Sequence, residues 1–464
     1  MITRGENQLT DIIKLLAGIL GEANVLTGSA ARELPFGWDT NQPCHAKAVV
    51  RPGDTSDVVA ILKLCHEHGQ TVVPFGGRTN LVQACSTTAD DIALLFDRMR
   101  QVEEIDPVEQ TMTLQAGVTL QRAQQAADEA GLFFPIDIGA RGTCETGGFV
   151  STNAGGTKVI RYGMTRDSVL GLEVVLADGT VISSLNRYIK SNSGFDLKQM
   201  FIGAEGLLGV ITKVIFRLSV KPATHNVAMV ACEDYAQMLQ VLQRSRKLLG
   251  SSLCGFEVMW DSFYSLATRP VGDLQSPFDE TYPMYGIIES MGNSPSSDDN
   301  VFVSALESLL EESLIVDAVV AKSEKEISDL WAIRDSVEWL VNLAQNFDVS
   351  LRTGDVALYI SDIEKKIRAD FPDALIAAFG HLGDNNLHLS VMAKSDEADA
   401  VERVERHIYE SLRPYQGAIS AEHGIGMEKK AYLSITRNAE EIALMKTLKA
   451  TLDPKNILNP GKVF

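Results

Sequence analysis

The sequence predicts an α+β fold: one domain over residues 1–219, a second over 220–412, and a C-terminal segment over 413–464. Three features predict it. Short β-rich runs separated by glycine turns dominate the first 220 residues. From there to about residue 412, helical stretches rich in Leu and Glu alternate with short strands, and the change of texture puts a boundary near Lys221. The last 50 residues carry a glycine loop, a helix and the turn-rich tail LDPKNILNPGKVF. A chain of 464 residues suits two or three domains, and 45% apolar residues supply a large core without the composition of disorder.

Residues 47–73 read as strand, helix, strand. KAVVRPG is β-rich and ends in a turn. TSDVVAILKLCHEHG has a Thr or Ser as N-cap, helical apolar spacing and a stop at Gly69, and TVVPFGG runs a buried strand into a glycine loop. Residues 91–118 give the strands DIALLF, VEEID and TMTLQAG, followed by the helix TLQRAQQAADEAG. Strands return at LEVVLADGTVI, with ADG as a hairpin turn, and at GVITKVIFRLSV. Later helices are expected at 235–249, 299–313, 323–345 and 361–370. Near the N-terminus, LTDIIKLLAGIL (9–20) reads as an amphipathic helix, interrupted by Lys14 and too short and charged to span a bilayer. With no basic region and cleavage site ahead of it, a cytoplasmic protein is expected.

The net charge of −19 argues against a nucleic-acid partner, and any anionic substrate then needs a local cationic or metal site. The six Cys, at 44, 65, 85, 144, 232 and 254, form no C-x-x-C pair, which predicts buried free thiols rather than a disulfide framework or thiolate zinc site.

No G-x-G-x-x-G follows a strand, and no G-x-x-x-x-G-K-[ST] loop occurs. Two other glycine sites stand out: Pro74-Phe75-Gly76-Gly77-Arg78-Thr79-Asn80, and Gly147-Gly148-Phe149-Val150-Ser151-Thr152-Asn153-Ala154-Gly155-Gly156. Adjacent glycines permit positive φ and bare backbone, so successive N–H groups can face one anion such as a pyrophosphate. Both are expected as loops after strands.

The order PFGGRTN, GGFVSTNAGG, RYGMTRDSVLGLEVVLADG, IGAEGLLGVIT resembles the two-part FAD domain of the vanillyl-alcohol oxidase type of flavoprotein, and the resemblance covers nearly the whole chain. It implies that Pro74, Gly76, Gly77, Arg78, Thr79, Asn80, Gly147, Gly148, Asn153, Gly155, Gly156, Glu205, Gly206 and Gly209 contact FAD, with Asn459 and Lys462 near the flavin. Some relatives attach flavin through a His in the first loop; that neighbourhood holds Arg78 and no His here, which implies non-covalent FAD.

Three of only eight His, His381, His388 and His423, fall in C-terminal motifs. In GHLGDNNLH, Gly383-Asp384-Asn385-Asn386 is strong turn chemistry. A four-residue loop there pairs His381 with His388 on one face, about 5 Å apart at Cβ. Ser420-Ala421-Glu422-His423-Gly424-Ile425-Gly426 adds a carboxylate and an imidazole. Two His and a carboxylate suit a catalytic zinc, manganese or iron. The cluster resembles the metal-dependent branch containing D-lactate and D-2-hydroxyglutarate dehydrogenases. That likeness implies His381, His388 and Glu422 as ligands of a divalent metal, by the family's habit zinc, and His423 as catalytic base. It also implies Arg334, in an L-W-x-x-R motif, as the ligand of the substrate carboxylate, with Asn386 and Ser390 at the substrate.

The implied reaction oxidises a small D-2-hydroxy acid to the 2-oxo acid. A metal lowers the hydroxyl pKa, His423 takes the proton and hydride passes to flavin N5. Electrons then leave to an acceptor the motifs do not identify: a flavoprotein, quinone or cytochrome. A homodimer is the candidate assembly. Three positions depart from relatives that use 2-hydroxyglutarate: Glu338 stands for a Thr, Asn346 for a Lys and Ser390 for an Asn. Two lose a group suited to a second carboxylate and the third adds repulsion, so a lactate-like substrate is expected rather than 2-hydroxyglutarate. The alternatives are D-2-hydroxyglutarate dehydrogenase itself, a metal-free or alkyl-transfer flavoenzyme of the same fold, and a non-catalytic subunit of a multi-chain oxidase. Metal analysis and the activity of the isolated chain separate the last two.

Overall fold

A computed structural model of the chain describes residues 4–38, 42–268, 274–337, 340, 344–395 and 397–464. It divides into two compact units, one of Met1–Gly155, Met164–Lys221 and Glu422–Phe464, the other of Gly156–Gly163 and Pro222–Ala421. The boundary at Lys221 lies where the texture changes. The predicted third segment does not stand apart: 413–421 falls in the second unit and 422–464 in the first, while residues 156–163 leave the first for the second.

The first unit holds two main sheets. In one, Ala48–Val50, Ile92–Leu95 and Val72–Phe75 run parallel, with Val25–Leu26 antiparallel at the edge. The inner strands are almost wholly apolar, as a parallel sheet covered on both faces requires. The helix Thr55–His68 begins at Asp54, whose side chain accepts from Asp57 N, rather than at the predicted Thr or Ser; Asp is as good an N-cap. It ends at Gly69 with φ +65°, as predicted. The N-terminal helix spans Arg4–Leu20, five residues longer than the sequence pattern suggested. The other sheet is antiparallel, in the order Val102–Asp106, Thr111–Gln115, Val210–Arg217, Val169–Val175, Val181–Ser184. Its last hairpin closes at the predicted ADG, where Leu176 N donates to Thr180 O at 2.8 Å. The C-terminal tail lies beside the strand that enters the first glycine loop: Val72 N donates to Ile457 O and Asn459 N donates to Val72 O.

The second unit is built on a seven-stranded antiparallel sheet, in the order Asp317–Val320, Thr224–Cys232, Met284–Gly292, Leu253–Trp260, Leu375–Gly380, Asn386–Met392, Gln345–Ser350. The helices Tyr235–Leu249 and Asp298–Glu311 lie close to prediction. The expected helix 323–345 is a helix over Glu324–Asp335; Leu340 is again helical, residues 338, 339 and 341–343 lie outside the described residues, and Gln345 already opens the strand that pairs with 386–392. The helix expected from 361 starts at Val356, after the single turn Thr353–Asp355. Phe263, Tyr264, Tyr285 and Phe379 centre this core. No described helix is long and apolar enough to cross a membrane.

Candidate active site

The strand Leu253–Trp260 is buried at every position but its last, and Glu257 is its one charged residue. A carboxylate buried in such a strand must be paired. Its Oε2 accepts from Arg334 Nε at 2.7 Å, and its Oε1 lies 2.7 Å from His381 Nδ1. Arg334 Nη2 in turn lies 3.2 Å from His381 Nε2. Guanidinium only donates, so Nε2 is the accepting nitrogen of His381 and Nδ1 carries the proton given to Glu257. Burial pushes the Glu257 carboxyl up, but the adjoining His381 ring and Arg334 guanidinium, with their hydrogen bonds, outweigh it, and its pKa ends lowered. Arg334 also stacks over Phe379, 4.9 Å from the ring centre.

His381 and His388 meet, although not by the predicted pairing. His388 lies opposite Phe379, and the connection is longer than four residues: it contains the turn Leu382–Asp384 and Asn385 at φ +74°. The register is off by two, and a two-residue slip leaves each side chain on the same face. The rings therefore still converge, with centroids 5.3 Å apart and ring nitrogens within 4.8 Å.

Asp348 sits directly across from His388 on the neighbouring strand and is fully buried. It accepts from Asn386 Nδ2 (2.9 Å), Ser420 Oγ (3.1 Å) and Ala421 N (3.0 Å), and its Oδ1 is 4.0 Å from His388 Nδ1. It thus ties the His388 strand to the residue that precedes Glu422. Asn386 Oδ1 is buried with no partner among the described residues. Ser390 and Asn346 are cross-strand partners, and Ser390 Oγ donates to Asn346 Oδ1 at 2.6 Å. Glu338 lies outside the described residues.

Glu422 and His423 open the last segment of the first unit. The turn behind them is held by Glu205, whose carboxylate accepts from Ile425 N (2.8 Å) and Gly426 N (2.9 Å).

The glycine sites of the same unit pack together. Gly147 and Gly148 lie in the helix Thr146–Thr152, not in a loop. The helix packs closely on its neighbours: a Cβ on Gly147 would sit 3.0 Å from Ala116 Cβ, and one on Gly76 would sit 3.3 Å from Gly148 Cα. Gly77 has no room at all, since its Cβ would stand 1.8 Å from Thr143 O. Arg78, Asn153, Glu205 and Asn459 all take positive φ. Asn153 caps the helix, and its Oδ1 accepts from Arg166 N. Gly206 backs onto Pro74, and Gly209 is confined by Val174. Asn80 bonds Phe36 O and Ala84 N, and Arg78 Nη1 bonds Pro35 O. Gly155 ends the first unit's opening segment, and Gly156 belongs to the second unit. Lys462 Nζ donates to Ser86 O. Arg78 Nε, Glu145 Oε2 and Asn459 Oδ1 are buried without partners among the described residues. Bare glycine backbone beside unsatisfied polar atoms fits an anionic, hydrogen-bonding group such as a dinucleotide.

Glu257 and Asp348 were not picked out from the sequence. The available signal was a lone carboxylate in an apolar strand, FEVMW and NFDVS.

Residues 46–184 match the family described as "FAD binding domain", and 221–463 match "FAD linked oxidases, C-terminal domain". The mitochondrial D-2-hydroxyglutarate dehydrogenase of Bos taurus is 39% identical over 90% of this chain and 77% of that protein. The chain is a member of the FAD-dependent D-2-hydroxy acid dehydrogenases. This dehydrogenase is also 34% identical to a putative mitochondrial D-lactate dehydrogenase of Schizosaccharomyces pombe, over 92% of the chain and 83% of that protein. In fold it matches p-cresol methylhydroxylase with a TM-score of 0.78 at 16% identity, covering 100% of this chain and 97% of that one. It therefore has the vanillyl-alcohol oxidase type of FAD-binding fold.

Proposed function

We propose that the dehydrogenase oxidises a lactate-like D-2-hydroxy monocarboxylate to its 2-oxo acid, with a divalent cation held by His381, His388 and Glu422. The observation that carries the reading is the Glu257–Arg334–His381 network beside His388. The donor set fits a metal. His381 donates its Nδ1–H to a buried carboxylate, the usual way to aim a ligand ring, and its Nε2 lone pair, which here accepts from Arg334 Nη2, is the one that would pass to the cation. By resemblance the cation is zinc.

Arg334 binds the substrate carboxylate, since its guanidinium has five N–H donors and Glu257 and His381 engage only two of its nitrogens. His423 takes the hydroxyl proton on a ring nitrogen. Gly76, Gly77, Arg78 and Asn459 offer backbone and buried polar groups to FAD. FAD when bound supplies the hydride acceptor, and the cation supplies Lewis-acid lowering of the hydroxyl pKa.

The Asn346–Ser390 pair supports the monocarboxylate. Where relatives using 2-hydroxyglutarate carry a cation and an amide, this chain has two short neutral side chains bonded to each other. D-2-hydroxyglutarate is the second reading, favoured by the names of relatives at up to 39% identity. Anaerobic flavin bleaching of the isolated chain by D- and L-2-hydroxy acids, with and without prior chelation, tests both. Fast chelator-sensitive bleaching by D-lactate supports the first, a preference for D-2-hydroxyglutarate the second. A flavin reduced by neither, even after metal is restored, sinks both.

A further inference from the structure

Glu205 stands in IGAEG, a stretch whose resemblance implies contact with FAD, yet its side chain is turned elsewhere. It is nearly fully buried, and its two carboxylate oxygens are divided between two successive backbone N–H groups, those of Ile425 and Gly426. A carboxylate with two backbone donors is a strong, directional anchor. The turn it grips is otherwise shaped by close approach. Gly424 and Gly426 have φ of +86° and +50°. A Cβ on Gly424 would sit 3.0 Å from the Glu205 carboxyl, and one on Gly426 would sit 2.1 Å from Val82 O. Met427 N donates to the same Val82 O. His423 is the residue immediately before this turn.

Glu205 is itself fixed from two other directions. Its N–H donates to Ser151 O at 2.9 Å, within the second glycine site. Its carbonyl accepts from Asn459 Nδ2 at 2.8 Å, and Asn459 N donates to Val72 O on the strand that enters the first glycine loop. A continuous set of hydrogen bonds thus runs from both glycine sites through Glu205 to the backbone two residues beyond His423. All of it lies in the first unit.

We propose that Glu205 is a positioning residue: its carboxylate fixes the Gly424–Gly426 turn and so sets His423 relative to the frame formed by the two glycine sites and Asn459. The proposal rests on the reading of His423 as the base. Loss of the anchor leaves the base in place but misplaced, and an error of about 1 Å in such a group costs about 100-fold in rate.

The test uses the FAD-loaded protein. Flavin content, affinity for the 2-oxo acid product and the rate of anaerobic flavin reduction across pH are measured for wild type, E205Q, E205D and H423N. For E205Q the expectation is retained flavin, product affinity within about twofold, and a reduction rate lower by about 10- to 100-fold, with the wild-type pH limb still visible. H423N loses both the rate and that limb. E205D keeps the charge on a shorter arm and falls between wild type and E205Q. A reduction rate within about twofold of wild type in E205Q overturns the proposal, and so does loss of flavin, which would make Glu205 a cofactor-holding residue. If E205Q does not fold, E205D is judged by the same two criteria. An H423N enzyme with wild-type rate and limb would instead remove the base assignment, whatever E205Q shows.

Discussion

Glu257→Gln isolates the charge at the centre of the network. The substitution keeps the volume but removes the anion shared by Arg334 Nε and His381 Nδ1. An amide offers one acceptor oxygen, so its NH2 must face one of those two donors. Arg334 is 6% exposed and cannot recover water, so its charge is left buried with, among the described residues, no anion closer than Asp335, 3.9 Å away. Removing one member of a buried ion pair costs about 3–5 kcal/mol. In the proposed reading of His381 as a metal ligand, loss of its orienting bond separately weakens metal affinity by about 10- to 100-fold, or about 1.4–2.7 kcal/mol. The cost of the broken pair itself should appear as easier unfolding of the second unit. Chelator titration of hydroxy-acid-driven flavin bleaching reads the first part. Urea unfolding followed by Trp260 and Trp331 fluorescence reads the second. Flavin content should not change, because Glu257 lies in the second unit while the glycine sites, all but Gly156, lie in the first. A chelator midpoint within about twofold of wild type together with an unchanged unfolding midpoint would refute the reasoning.

Three further substitutions test other joints of the structure. G77A puts a Cβ 1.8 Å from Thr143 O, a backbone atom that cannot swing aside, and should abolish flavin retention, read as flavin absorbance per mole of protein. Burial raises the Glu289 carboxyl, but the Lys158 charge and the His225 hydrogen bond prevail and bring it down to about 2. A carboxyl depressed on folding adds stability above its unfolded pKa of about 4.3, and that stability fades as pH falls toward 2. K158M should therefore lower the urea midpoint at pH 6 and flatten its decline between pH 5 and 3; an unaltered pH slope would disprove the pairing. N346K restores a cation opposite Ser390 and should raise kcat/KM for D-2-hydroxyglutarate relative to D-lactate by about tenfold, since a charged hydrogen bond contributes about 1.5–3 kcal/mol.

Local chemistry made much of the fold legible. The helix stop at Gly69 and the ADG hairpin were read from local residues, and each lies where a backbone constraint leaves little choice. What long-range pairing decides was misread. The helix expected over 323–345 ends at Asp335, and its last position, Gln345, joins a strand whose partner lies about 40 residues onward; glycines 147 and 148, expected in a loop, fall in a helix that packs against Gly76 and Ala116. The His381–His388 convergence was anticipated from a wrong register and survived because the error was even; an error of one residue would have turned the two rings to opposite faces.

The carboxylate roles that sequence reading missed share one character. Glu257 and Asp348 are carboxylates in buried strands, and Glu205 one in a buried turn, where charge is costly unless satisfied. Each is satisfied by groups that bear on the proposed chemistry: Glu257 by His381 and Arg334, Asp348 by Ser420 and Ala421, Glu205 by Ile425 and Gly426. The last two grip the backbone on either side of Glu422 and His423. A residue on a free turn would lose conformational entropy each time it met substrate, whereas a turn gripped by a buried carboxylate within its own unit has already lost it on folding. In a chain of net charge −19 that handles an anion, this use of carboxylates has a second effect. Glu257 is bonded to the Arg334 guanidinium and to the Nδ1–H of His381, so the carboxylate in contact with that cation is paired. How an acidic composition bears on an anion at Arg334 thus depends on which carboxylates are paired there, which residue counts cannot reveal and the structure can.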